Sequence, residues 1–144
     1  MFSKTCEYAL RAMLFIGQKS KEGKKTGVKE IAAGIDSPEY FIAKILQELS
    51  RKNLVQSLKG PAGGFYLDKQ RMECTLADIV KAIDGDKIFL GCGLGLKACS
   101  EKKPCPIHNE FKKIRKEMHD MLESATLNEF NEKLERKLTF LKRV

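Results

Sequence analysis

Apolar residues recur at helical spacing from the start of the chain. Tyr8, Ala9, Ala12, Met13 and Ile16 predict a first helix over Thr5–Gly17, closed by Gly17 near its end. The polar run Lys19-Ser20-Lys21-Glu22-Gly23-Lys24-Lys25 then reads as a loop. Val28, Ile31 and Ala32 share one side of a short helix over Val28–Ala33, and Gly34-Ile35-Asp36 breaks it. Ser37-Pro38-Glu39 offers an N-cap hydroxyl, a proline without a needed N–H, and a carboxylate for the dipole. Phe41, Ile42, Ile45, Leu46 and Leu49 supply the apolar face of the helix this starts, over Ser37–Lys52. Two short helices around a tight Gly-containing turn read as a helix-turn-helix or as an ordinary helical hairpin.

The next segment favours the former. Leu54–Leu58 and Phe65-Tyr66-Leu67 are strand-like, and Lys59-Gly60-Pro61-Ala62-Gly63-Gly64 between them is a basic tip with little to pack. A hairpin of this kind can lie close to a phosphate backbone. The predicted fold is therefore mainly α with a small β-hairpin, a winged helix-turn-helix.

Thr75-Leu76-Ala77-Asp78 resembles a capping box and opens a helix to about Gly85, with Leu76, Ile79, Val80 and Ile83 apolar. Residues 86–106 carry no period. From Ile107 the apolar positions Ile107, Phe111, Ile114, Met118, Met121 and Ala125 step by 4, 3, 4, 3 and 4, the seam of a coiled coil. Such a seam packs either on its own domain or on a second copy, and two-fold dimers dominate among assemblies. Thr126-Leu127-Asn128-Glu129 caps a last helix carrying Phe130, Leu134, Leu138 and Leu141. The expected organisation is a DNA-binding domain over 1–85 (wing about 54–67), a cysteine loop over 86–106, a long dimerisation helix over 107–125, and a C-terminal helix over 126–144 folding back.

Composition narrows the function. With 144 residues and 42% hydrophobic side chains, the chain can bury a core and is not globally disordered. No apolar run is long enough for a membrane helix, and Glu7 and Arg11 interrupt the short N-terminal apolar stretch, so a soluble, cytoplasmic protein is expected. The net charge is +8, and residues 1–72 hold 13 basic against 7 acidic side chains. A basic half beside a nearly balanced one suits a polyanion-binding module with a second part attached. On the winged-helix pattern, Ser37, Glu39, Tyr40 and Lys44 are candidates near base edges, and Lys4, Arg51 and Lys59 for phosphates.

Three of the five cysteines, Cys92, Cys99 and Cys105, share one loop with gaps of six and five residues, and His108 follows. Thiolates are soft ligands for iron–sulfur clusters or zinc, and the wide gaps count against zinc. Gly91, Gly93 and Gly95 would let the loop wrap a bulky centre, with Lys97, Lys102 and Lys103 offsetting its charge. Cys6 and Cys74 read as structural thiols, and His119 as a residue of a charged helix face.

These segments together resemble a known family. Tyr8-Ala9-Leu10-Arg11-Ala12-Met13, Arg51-Lys52-Asn53-Leu54-Val55, the wing Lys59–Phe65, Thr75–Asp84, the three cysteines and Thr126-Leu127 are similar to the winged-helix transcriptional repressors that include IscR and NsrR. The resemblance covers residues 1–135. It implies a homodimeric transcription factor on a pseudo-palindromic operator in double-stranded DNA, with affinity set by a 2Fe-2S or 4Fe-4S iron–sulfur cluster. It carries the ligand role to Cys92, Cys99 and Cys105. The fourth ligand is His108 on the pattern of IscR-like members, or Glu7 from the partner subunit on that of NsrR-like members. The first cysteine gap is one residue longer here than in those relatives, and some members lack the cysteines and work without a cluster.

His108 also reads as a first-turn helix residue in contact with solvent, and Glu7 as a surface carboxylate at a helix start. Two other functions compete: a cluster-free regulator acting through cysteine oxidation or a protein partner, and a thiol enzyme with Cys105 as nucleophile and His108 as base. No third orienting group supports the enzyme, so none is expected.

Overall fold

Helix α1 (Lys4–Lys21) runs through the middle of the computed structural model, which describes residues 1–142. Its Cys6, Ala9, Leu10, Ala12, Met13 and Ile16 are buried, and α3, α5 and α8 all pack on it. The helix outlasts its predicted end at Gly17 by a full turn, because later contacts hold the extra residues. Ser20 Oγ accepts from the Leu67 N–H at 2.9 Å, and Lys21 Nζ reaches the Asn128 carbonyl at 3.5 Å. Gly17 is interior and serves close packing: a Cβ there would lie 2.4 Å from Asn131 Nδ2 and 3.2 Å from Met72 Sδ.

Helices α2 (Val28–Gly34) and α3 (Glu39–Arg51) form the helix-turn-helix, with Asp36 at φ 55° in the turn. The expected Ser37 cap is not made. Pro38 occupies the N-cap position, and Ser37 Oγ is buried without a hydrogen bond, so α3 starts one residue later than a serine cap would place it. Ile42, Ile45, Leu46 and Leu49 are buried, but Phe41 lies about one 100° helical step from Ile42 and is half exposed.

Strands β1 (Gln56–Leu58) and β2 (Gly64–Tyr66) pair antiparallel, with Ser57 opposite Phe65. β1 is shorter than the predicted Leu54–Leu58, and β2 lies one residue earlier than the predicted Phe65–Leu67. The buried Thr26 adds a third edge by exchanging two backbone hydrogen bonds with Phe65, at 3.0 and 2.7 Å. That close approach explains Gly64, where a Cβ would meet the Thr26 backbone at 2.8 Å. Gly63 is equally constrained, with a Cβ 1.9 Å from the Leu58 carbonyl oxygen.

After the one-turn α4 (Lys69–Met72), α5 (Leu76–Asp84) opens with the capping box of Thr75 and Asp78 and closes at Gly85, φ 76°. A further turn, α6 (Lys87–Leu90), falls in the stretch that shows no period, because one turn is too short to display one. Helix α7 (His108–Ser124) packs on α5 and α6, and α8 (Leu127–Glu135) returns to α1. Thr126 caps α8, and the Leu127 N–H donates to the Cys74 carbonyl at 2.9 Å, tying the starts of α5 and α8 together.

Helix α8 stops well before residue 144: Lys137 takes φ 57°, and Leu138 N–H closes on the Lys133 carbonyl at 3.0 Å. Leu138 is exposed beyond the helix, Leu141 also lies past it, and residues 143–144 of the expected helix fall outside the described residues. Among the described residues no helix is long and apolar enough to cross a membrane.

A candidate DNA interface and a candidate cysteine centre

The outward side of α3 follows from what its inward side buries. Tyr40, Lys44, Gln47 and Arg51 lie opposite Ile42, Ile45 and Leu49 and are exposed. Lys44 Nζ sits 4.6 Å from the centroid of Tyr40. Tyr40 meets Phe41 edge-on at 5.7 Å, and Phe41 stacks on Tyr8 of α1 at 6.2 Å. Arg11 and Lys4 lie over Tyr8 at 4.9 and 5.5 Å. The start of α3 therefore presents aromatic rings rimmed by three cations.

The other candidates differ in availability. Lys59 is exposed at the wing tip and Glu39 is exposed in the first turn of α3. Ser37 is half-buried. Arg51 is ion-paired with Glu48, and Lys4 lies 3.5 Å from Glu7. Glu48 and Glu7 must release those cations before they can serve phosphates fully. Gln47 stays outside, as its spacing predicts, whereas Phe41 is a surface residue that the apolar pattern does not single out. Phe41 belongs by type to the apolar face, and only its angular offset from Ile42 marks it as peripheral.

The cysteine loop is pinned between α6 and α7. Arg115 Nη1 donates to the Gly91 carbonyl at 2.6 Å, and Gly93 lies against Phe111, whose Cγ would be 2.8 Å from a Cβ. At least one loop glycine is thus needed for packing on α7. Cys99 Sγ lies 3.4 Å from His108 Nδ1. His108 is only 5% exposed, so it is not the solvent-facing residue of the alternative reading. Its Nε2 is buried without a formed hydrogen bond, and Glu101 Oε2 lies 3.3 Å away. Lys112 donates to Glu101 and, ahead of His108, holds its carboxyl below the usual carboxylate range.

The Cys92 thiol is drawn below its ordinary range by the backbone N–H groups of Leu94 and Leu96, with the neighbouring Cys105 side chain adding to this. By geometry, one donor pair is formed, Cys99 with His108. Among the described residues no three His, Cys, Asp or Glu side chains gather as a single-ion site. The enzyme reading has no support here. Cys105 reaches His108 only through its carbonyl, which accepts from the His108 N–H at 3.0 Å, and the imidazole faces Cys99.

Cys6 and Cys74 differ sharply. Burial pushes both thiols up to about 12, with Asp84 adding to the effect at Cys6 and Asp78 at Cys74. Glu7 sits partly exposed in the first turn of α1. His119 packs edge-on against Phe89 at 5.0 Å and faces Glu123.

Comparison with known proteins agrees with this architecture. The transcriptional regulator NsrR of Oceanobacillus iheyensis is 28% identical over 127 residues, covering 88% of this chain and 86% of its own. CymR (YrzC), the global cysteine regulator of B. subtilis, superposes with a TM-score of 0.74 at 23% identity, over 92% of this chain and 96% of that one. IscR of T. potens gives the same TM-score at 20% identity, over 96% and 91%. Residues 2–133 match the model of the Rrf2 family, described as iron-dependent transcriptional regulators. The chain belongs to the Rrf2 family of winged-helix, DNA-binding transcriptional regulators, and it is not an enzyme.

Proposed function

We infer that the protein is a homodimeric repressor whose affinity for a pseudo-palindromic operator is controlled by an iron–sulfur cluster on Cys92, Cys99, Cys105 and His108. The observation that carries this reading is the buried His108, with Nδ1 against Cys99 and Nε2 toward Glu101. A carboxylate behind a histidine fixes the ring and raises the basicity of the nitrogen facing the metal. The three thiols and this imidazole fit a cluster in donor type. Glu7, ion-paired with Lys4, is the weaker choice for fourth ligand. The family's description as iron-dependent supports an iron-bearing centre.

When bound, the cluster supplies a centre sensitive to redox state and nitric oxide. The chain's own residues do the rest. Arg115 and Phe111 hold the loop on α7, and α7 presents Ile114 and Met121, 61% and 54% exposed, for pairing with a second copy. Pairing along α7 sets the separation of two α3 helices on the operator, so a shift of the loop changes affinity without touching a DNA-contacting residue. Ser37, Glu39, Tyr40 and Lys44 then sit near base edges, with Lys4, Arg51 and Lys59 near phosphates.

Anaerobic reconstitution with iron and sulfide tests the centre. Visible absorbance is expected in the wild type, lost in Cys92→Ala, Cys99→Ala and Cys105→Ala, and kept in Cys6→Ala and Cys74→Ala. His108→Ala should alter it more than Glu7→Ala. Operator binding by Lys59→Ala should show a salt slope smaller by about one unit.

A second reading has its own observation. The lowered Cys92 thiol beside Cys105, in a fold shared with a protein described as a cysteine regulator, suits cluster-free sensing by cysteine oxidation. Wild type that takes up neither iron nor sulfide would establish this alternative over the cluster.

A further inference from the structure

Tyr40 and Phe41, 65% and 50% exposed, form an apolar patch on a protein that keeps its other large aromatics of α1–α3 at least partly covered. Exposing two adjacent rings forgoes burial energy, so a surface that keeps them has a partner for them. The rim says what partner. Lys4, Arg11 and Lys44 lie over Tyr8 and Tyr40 at 4.6–5.5 Å, which suits an apolar group set among phosphates. Double-stranded DNA has one such group: the thymine 5-methyl, which projects into the major groove.

The geometry points to Phe41 as a sequence-reading residue that packs its ring against a thymine methyl in each half-site. This rests on α3 being the recognition helix. Tyr40 faces straight out from α3, whereas Phe41 lies on the flank toward α1 and its cations, between the base-facing and phosphate-facing sides. Tyr8 stacked behind it and Tyr40 edge-on beside it limit its rotamers, so little side-chain freedom is lost on contact.

The test uses the full chain and a duplex obtained by selecting tight binders from a random-sequence library. Each thymine is replaced singly by uracil, which removes only the methyl, and affinity is measured by fluorescence anisotropy. One thymine per half-site should weaken wild-type binding about fourfold when demethylated, the equivalent of one buried methyl-sized group. Phe41→Ala should bind the thymine duplex more weakly and lose that penalty, while Phe41→Leu keeps part of it. The uracil scan on wild type does not depend on how any variant folds.

If no single uracil weakens wild-type binding, or if Phe41→Ala keeps the full penalty and Tyr40→Ala loses it, the assignment to Phe41 is overturned while the recognition helix stands. If wild type selects no sequence at all, the recognition-helix reading fails first, and this inference with it.

Discussion

Cysteine appears in two regions of this molecule under opposite physical conditions. Cys6 and Cys74 lie in and beside the packed core, where burial and nearby carboxylates push their thiols up to about 12. Cys92 and Cys99 lie in a loop, one drawn toward its thiolate by backbone N–H groups and the other in contact with an imidazole. One side chain thus acts as a small hydrophobe in the first region and as a potential ligand in the second. Environment, not residue type, separates them, and the neighbouring donors matter as much as exposure.

The sharpest way to break this contrast is thiol labelling of the metal-free protein. Cys92 should react at least about a thousandfold faster than Cys6, because Cys6 reacts only after opening of the core. Mass spectrometry of a timed alkylation series measures the ratio. Comparable rates would mean that the core around Cys6 opens locally.

Packing gives the next largest effect. Leu122 is 1% exposed and joins α7 to the core, so Leu122→Ala should cost about 2–5 kcal/mol in denaturant unfolding. Ile114→Asp on the same helix should change the stability of the isolated protomer by less than about 0.5 kcal/mol. The dimer is where Ile114→Asp should act, shifting sedimentation from dimer to folded monomer. A dimer unchanged in Ile114→Asp would place the interface elsewhere.

The smallest effect is a pH dependence. In the unfolded chain the Cys6 thiol returns to its ordinary value near 9.0, while in the fold it stays protonated to about 12. The unfolded state therefore loses its proton first. Stability from this group is complete below the unfolded value and falls as pH rises, by up to about 1.4 kcal/mol per pH unit. Wild type should lose roughly 1 kcal/mol more than Cys6→Ala between about pH 8 and about pH 10. Equal slopes would put Cys6 in contact with water.

Local signals in the sequence determined much of the fold. The capping box at Thr75, the N-cap at Thr126, the apolar arc of α3, and the glycine-rich hairpin all act over a few residues, and each forms in the structure. The three loop cysteines were legible as a group because their residue type is scarce and chemically distinctive.

What the tertiary structure decided depends on partners distant in sequence. Gly17 reads locally as a helix end, yet Asn131 and Met72 make it a packing glycine inside α1. Thr26 joins the wing through Phe65, a pairing that no periodicity announces. Leu122 buries where the 4–3 seam placed no residue, because α7 leans on α5 and α6. Phe41 has the residue type of a core position and the address of a surface one, since its angle on α3 becomes meaningful only once α1 is in place. His108 reads from the sequence as either a ligand or a solvent-facing residue, and the fold buries it between Cys99 and Glu101. Sequence spacing encodes contacts along one element, while burial and ligand geometry are set where separate elements meet.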